Sequence, residues 1–260
     1  MSKVGISAVI ICFNEEHNIK RCLDSLNDVA DEIIVVDSFS TDTTPQICQQ
    51  YPKVRFFQKP WENYSVAKNY GDHFAQYSHI LSLDADECLS SELREYLLAR
   101  KTQLPDAMRI SRLTNYCGNW IRHCGWYPDY KTRLWRKELA HWEGIVHESL
   151  VFHTPVSIET ARGDILHYSY YTISDHLKQL DLFTDLMSKA AFQENKKAPF
   201  YKILLSPFIK FLKSFLWQKG FLDGYYGWVI CVISSFATFI KYVKLRELHS
   251  KSHPNSLSSL

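Results

Sequence analysis

Residues Ile6–Phe13 (ISAVIICF) form an unbroken apolar run. A run of that length suits a parallel strand covered on both faces. Glu32–Asp37 (EIIVVD), Val54–Phe57 and His79–Leu83 repeat the pattern. Between the runs, Ile19, Cys22, Leu23 and Leu26 fall at helical spacing. Asn14 reads as the N-cap of that helix, with Glu15 and Glu16 at its positive end. Ile47 and Cys48 mark a second helix and Tyr64–Phe74 a third. Strand–helix alternation of this kind predicts an open α/β sheet. Ligands of such sheets sit beyond the carboxyl ends of the strands, where Asn14, Asp37 and Asp84 fall.

The fourth run feeds directly into Asp84-Ala85-Asp86. Two hard carboxylates at alternate positions can each reach Mg²⁺ or Mn²⁺, or one can hold the metal while the other holds a sugar hydroxyl. Mg²⁺ takes one or two protein carboxylates and completes its shell with water and substrate phosphates. The pattern therefore suggests a metal–diphosphate substrate more than a structural ion, although by itself the tripeptide is common in solvated turns. Asp37 can accept hydrogen bonds from a base or ribose, or close an Asx-turn or cap a helix. No G-x-G-x-x-G and no P-loop are present, so nicotinamide, flavin and ATPase readings lose their main support. In isolation Lys68-Asn69 reads as a solvated surface pair.

Taken together, Ile6–Glu16, Glu32–Thr43, Ala67-Lys68-Asn69 and Leu83–Glu87 resemble the nucleotide-sugar half of a family 2 glycosyltransferase of GT-A fold. Asn115–Gly118, His123–Asp129, Lys131–Trp135, Trp142–Glu148 and Phe221–Gly224 resemble the subgroup that includes bacterial lipopolysaccharide-core glucosyltransferases. The resemblance implies a Rossmann-like mixed sheet flanked by helices and transfer of a sugar with inversion at the anomeric carbon. It places Asp37 on the donor's base or ribose, Asn14 and Glu16 beside the nucleotide, and Lys68 with the donor-binding residues. Asp84 and Asp86 face the sugar-diphosphate and its metal, Mg²⁺ or Mn²⁺. Arg133 is a second cation for the phosphates, or else a surface strand residue like Lys131 and Arg136. Inversion by direct displacement needs one base on the acceptor side. Glu148 is the candidate, with Asp129 and Glu143 as rivals. His147 either orients Glu148 or reaches the metal, and the bland reading of His147-Glu148 is a hydrogen-bonded strand end. His167 and Tyr168 lie near the site, or His167 is a structural histidine.

The chain has 260 residues, 46% of them hydrophobic, and a net charge of +2. That is enough for a large core and gives no general affinity for polyanions. With no basic stripe interleaved with aromatics and no finger spacing, nucleic acid is not an expected partner. Seven scattered cysteines without a Cys-x-x-Cys read as reduced thiols of a cytosolic protein. Met1–Gly5 leads into a strand rather than a signal peptide.

The expected organisation is a GT-A domain over residues 1–195, split into a nucleotide-sugar half (1–105) and an acceptor half of short β-like pieces (106–195). Residues 196–249 form an apolar, basic helical segment, and Ser250–Leu260 a disordered tail. The longest apolar piece, Trp228–Ile240, is shorter than the roughly 20 residues a spanning helix needs, so peripheral attachment is the expectation and a single transmembrane span the lesser alternative. Lys210, Lys213 and Lys219 among Phe, Leu and Trp suit an interfacial helix; an ordinary helical subdomain is the alternative.

The expected activity is metal-dependent transfer of a hexose, glucose foremost, from a UDP-sugar to a lipopolysaccharide-core or other lipid-linked saccharide acceptor at the cytoplasmic face of the inner membrane. The alternatives are a polyprenyl-phosphate glycosyltransferase and a non-catalytic nucleotide-sugar-binding protein.

Overall fold

A computed structural model describes residues 3–144 and 148–252. The chain divides into two compact units. One takes in the chain up to Leu113 and again Pro128–Tyr168; the other takes in Thr114–Tyr127 and the chain from Ser169 onward. A short excursion in mid-chain thus belongs with the C-terminal helices.

The first unit is built on β1 (Lys3–Cys12), α1 (Ile19–Leu26), β2 (Glu32–Asp37), α2 (Thr44–Cys48), β3 (Val54–Gln58), α3 (Tyr64–Phe74), β4 (Tyr77–Asp84), β5 (Glu87–Leu89) and α4 (Ser91–Arg100). They are followed by β6 (Ala107–Tyr116), β8 (Asp129–Arg136), β9 (Ala140–Glu143), β10 (Ser149–Phe152) and β11 (Ile158–Tyr170), while β7 (Asn119–Ile121) falls in the second unit. The sheet order is β3-β2-β1-β4-β8-β6-β11-β5, with β7 paired to β6. β3, β2, β1 and β4 are mutually parallel. β8 enters antiparallel on β4, and β5 pairs antiparallel with β11. This is the mixed, helix-flanked sheet expected from the sequence.

Alternation along β1 divides the core. Ile6, Ala8 and Ile10 pack with Ile19, Cys22, Leu23 and Leu26 of α1. Val9 and Ile11 pack on the other face with Ala67 of α3 and with Trp135 and Trp142. Strands buried on both faces carry apolar residues at every position, which is why these runs lack a period of two. α3 comes so close to the sheet that a Cβ on Gly71 would lie 2.5 Å from Val9 Cγ1.

Two local expectations differ. Asn14 is not the N-cap of α1: it sits in a loop at a φ of 55°, and Asn18 holds the cap position. Asparagine tolerates this left-handed conformation better than most residues. The acceptor half is also not built of short pieces alone, since β6 spans 10 residues and β11 spans 13.

In the second unit the end of β6 pairs with β7. Its helices are α5 (Ile173–Gln193), α6 (Phe200–Leu212) and α7 (Gly224–Ser252), with a π-helical turn at Lys213–Trp217 and a 3₁₀ turn at Gly220–Asp223. Thr172 and Asp175 form a capping box at the start of α5. Tyr116, Ile121, Cys124 and Leu180 bury Val229, Ile230, Cys231 and Ile233 of α7. Asp223 accepts from the backbone N–H of His123 at 2.7 Å and pairs with His123 Nδ1 at 2.8 Å. The His123–Asp129 and Phe221–Gly224 motifs thus meet in this unit. α7 continues through Ser252, taking in the first residues of the expected tail; the rest of it lies outside the described residues.

Candidate active site

The parallel strands end level with one another, Cys12 opposite Asp37 and Ile11 opposite Asp84. Beyond them opens a cavity of about 800 Å³ lined by Phe13, Glu15, Ser38, Trp61, Tyr64, Asp84, Asp86 and His167, among others. That volume is in the range of small-molecule sites.

Asp84, the last residue of β4, is held by two cations. Arg133 of β8 places Nη2 3.0 Å from Asp84 Oδ2, and Lys68 of α3 places Nζ 3.3 Å from Oδ1. Burial alone would raise the Asp84 carboxyl, but the charges of Arg133 and Lys68 outweigh it and hold the group well below the ordinary carboxylate range. Glu87, 1% exposed, accepts from Arg133 at 2.7 Å and from the Asp84 backbone N–H at 3.0 Å. It fixes both the cation and the strand end. Glu87 stands directly behind the Asp-x-Asp in sequence, but nothing local marks it as the group that anchors Arg133. Arg133 is neither a surface residue nor unengaged: it is 5% exposed, with its guanidinium between Asp84 and Glu87.

Lys68 is 2% exposed, the opposite of a solvated surface residue. Its ammonium also lies 3.3 Å from Glu148 Oε1 and 4.6 Å from the centre of the Trp142 ring. One buried charge therefore joins the Asp-x-Asp to Glu148. The neighbours of Lys68 on the same face of α3 clamp the β9–β10 hairpin that delivers Glu148. The Asn69 amide donates to the Trp142 carbonyl at 2.8 Å and accepts from its N–H at 2.9 Å, and Ser65 Oγ donates to the Gly144 carbonyl at 2.7 Å. Residues 65, 68 and 69 share a face because they are three and four apart.

Asp86 lines the cavity, and its Oδ2 is 3.1 Å from His167 Nε2. The expectation that His167 lies near the site holds. Three carboxylates, Asp84, Glu87 and Glu148, surround two cations, Lys68 and Arg133; Arg112 reaches Glu87 only at 3.5 Å and sits closer to Asp129, at 2.7 Å. Among the described residues no group of three metal-ligating side chains converges. Asp86 on the cavity and Asp84, whose Oδ1 has the Lys68 ammonium at 3.3 Å, are nevertheless the hard oxygen donors an ion such as Mg²⁺ uses when substrate phosphates complete its shell. The residues fit a substrate-borne divalent ion rather than a protein-enclosed one.

The rival bases have partners of their own. Asp129 is tied to Arg112 at 2.7 Å and to Lys131 at 3.3 Å. Burial would raise its carboxyl, but Arg112 and Lys131 bring it below the ordinary range. Glu143 is exposed and pairs with His141 at 2.7 Å. His147 lies outside the described residues.

None of the three expected nucleotide residues, Asp37, Asn14 and Glu16, is among those that line the cavity; all three brace the loops after the strands. Asp37 is fully buried and accepts from the Ser40 N–H at 2.9 Å, the Ser40 hydroxyl, and Gln58 at 3.2 Å. The turn role of Asp37 is therefore filled. Asn14 Oδ1 accepts from the Thr41 N–H at 2.8 Å, and Glu16 accepts from the Thr43 hydroxyl at 2.7 Å. These side chains join the loops after β1 and β2. Glu15, not Glu16, lines the cavity; burial lifts its carboxyl above the ordinary range, against the Asn18 amide, which lowers it. Trp61 and Tyr64, edge to face at 4.8 Å, form an aromatic wall that carried no periodic signal in the sequence.

Residues 7–155 match the sequence model of a family described as glycosyl transferase family 2. The chain is 32% identical over 265 residues to an uncharacterized glycosyltransferase of Rickettsia bellii, covering 97% of this chain and 90% of the relative. It is 28% identical over 269 residues to the lipopolysaccharide core biosynthesis glycosyltransferase LpsC of Rhizobium meliloti, covering 97% and 96%. Among solved structures, S. aureus TarS 1–349 in complex with UDP-GlcNAc is similar at a TM-score of 0.47 and 16% identity, over 95% of this chain and 92% of that one.

Proposed function

Because the chain belongs to glycosyl transferase family 2, we propose that it moves a hexose, glucose foremost, from a UDP-sugar to a hydroxyl of a lipopolysaccharide-core or similar lipid-linked saccharide. Transfer proceeds with inversion and with Mg²⁺ or Mn²⁺. The observation that carries this reading is the single Lys68 ammonium shared by Asp84 and Glu148 beside a cavity at the strand ends. It joins a donor-side carboxylate to an acceptor-side one. The likeness to LpsC along almost the full length of both chains supports the acceptor class. A lipid-linked acceptor puts the enzyme at a membrane surface, the cytoplasmic face of the inner membrane.

Phe13, Trp61 and Tyr64 offer flat apolar faces to the uracil and ribose. Asp86 and Asp84 are the residues that would hold the metal. When bound, the metal offsets charge developing on the departing diphosphate. Lys68 and Arg133 keep Asp84 ionised and fixed. Glu148, on the clamped hairpin, takes the proton of the attacking hydroxyl, and Lys68 holds it in place meanwhile.

The test is release of free UDP from a panel of nucleotide sugars, with and without lipopolysaccharide core and with excess EDTA. The reading expects acceptor-stimulated release from a UDP-hexose that EDTA abolishes. Release that ignores EDTA would overturn the metal assignment. No release from any donor would overturn the activity.

A further inference from the structure

Helix α6 carries its residues inside out for a helix bathed in water. Phe200, Leu204, Leu205, Phe208, Ile209 and Leu212 recur every three to four residues on one face, and each is exposed, between 37% and 68%. The one fully buried position is Ile203. On its inner side the contacts are partly polar: Ser235 Oγ donates to the Pro207 carbonyl at 2.6 Å, and the buried Ser214 Oγ to the Lys210 carbonyl at 2.9 Å. A helix lying on a soluble core turns its apolar stripe inward. Helix α7 repeats the outward pattern at Trp228, Val232, Phe236, Phe239 and Val243, and at the turn between the helices Trp217 is 85% exposed.

We propose that this outward face of α6, α7 and the Trp217 turn seats in one leaflet of an anionic bilayer, in the plane of the interface, and that α7 does not span the membrane. The inference deepens the membrane part of the proposed function and rests on it. Charge selects lipid over another protein as the occupant. Residues 196–249 contain nine Lys and Arg against two acids, in a chain whose net charge is only +2. Lys202, Lys213 and Lys219 are exposed beside the stripe, where they meet anionic headgroups as the apolar side chains enter the acyl boundary.

The stretch Gly220–Ser252 is long and apolar enough to cross a membrane, but its packing opposes it. Val229, Ile230, Cys231 and Ile233 are built into the core of the second unit. Lys244 is tied to Asp181 at 2.7 Å and to Asp185 at 2.6 Å on α5. A spanning α7 would have to pull those four core residues away from Tyr116, Ile121 and Leu180, with which they are buried.

The full-length protein is floated with vesicles of phosphatidylcholine alone or mixed with phosphatidylglycerol. The account expects binding to the mixed vesicles, weakened by salt and released by alkaline carbonate. Brominated lipids should quench an emission component that Trp217→Phe removes. Leu204→Glu/Phe208→Glu replaces exposed side chains, so its melting temperature should hold while vesicle affinity falls at least tenfold. Flotation that resists carbonate and survives the double substitution would mean that α7 spans; the membrane reading would stand and this inference would fall. No flotation at all would overturn both. A dimer that shields Trp217, ignores vesicles and becomes a monomer in the double variant would overturn the inference in favour of a second copy.

Discussion

Replacing Lys68 by Met keeps the aliphatic stem against Trp142 and removes the ammonium that Asp84 and Glu148 share. Deleting one partner of a buried ion pair costs roughly 3–5 kcal/mol, because the other charge is left uncompensated. Lys68 is buried, but the Asp84 and Glu148 side chains remain 31% and 28% exposed, and Asp84 keeps Arg133 at 3.0 Å. A loss of about 2–3 kcal/mol follows once the pair is discounted for that solvation. For a chain of this size it lowers the melting temperature by roughly 4–12 °C.

The pH dependence separates charge from packing. The folded Asp84 carboxyl is held below its ordinary value. Its contribution is therefore complete above the unfolded carboxylate value and lost as pH falls through the folded one. The gap between wild type and Lys68→Met should be full at neutral pH and close in strong acid, and Lys68→Arg should restore most of it. Turnover should fall by on the order of 10²-fold as Glu148 loses its anchor. Thermal melts across pH, paired with UDP-release kinetics, measure both. A wild-type melting temperature, or a gap unchanged by acid, would refute the electrostatic role.

Glu148→Gln keeps the shape but cannot accept the proton, so transfer should drop roughly 10²–10⁴-fold with donor affinity little changed. Asp129→Asn and Glu143→Gln serve as controls, and a dead control beside an active Glu148→Gln would move the base. Asp37→Ala removes the acceptor of the Ser40 turn, so calorimetry should find weaker donor binding while turnover at saturation holds; a turnover loss at unchanged affinity would place Asp37 at the chemistry. A Cβ at Gly227 would lie 2.0 Å from the Gly220 carbonyl oxygen, so Gly227→Ala should destabilise the protein by about 3 kcal/mol; an unchanged melt would mean that the helix turn yields freely.

What the sequence revealed and what it hid follow from range. Strands buried on both faces wrote themselves as continuous apolar runs, and the Asp-x-Asp sat where a strand had to end. Lys68-Asn69 read as a surface pair because its partners come 80 and 73 residues later, on a hairpin with no local signal pointing back to α3. Arg133 left two readings open, and burial between Asp84 and Glu87 removes the surface one. The resemblance puts Glu16 beside the nucleotide, whereas Glu15 is the one that lines the cavity; the order of residues in a loop does not say which side chain turns inward. For α6 the periodicity was legible, but only burial could tell which face points outward.

The most direct test of the account is the ¹H NMR spectrum of a lipopolysaccharide-core acceptor after incubation with an α-linked UDP-hexose, metal and the purified enzyme. Transfer by one acceptor-side base, Glu148, with Asp84 and Asp86 at the diphosphate predicts a single added hexose in the β configuration. An α-linked product, or an acceptor returned unchanged with every UDP-hexose, would contradict it.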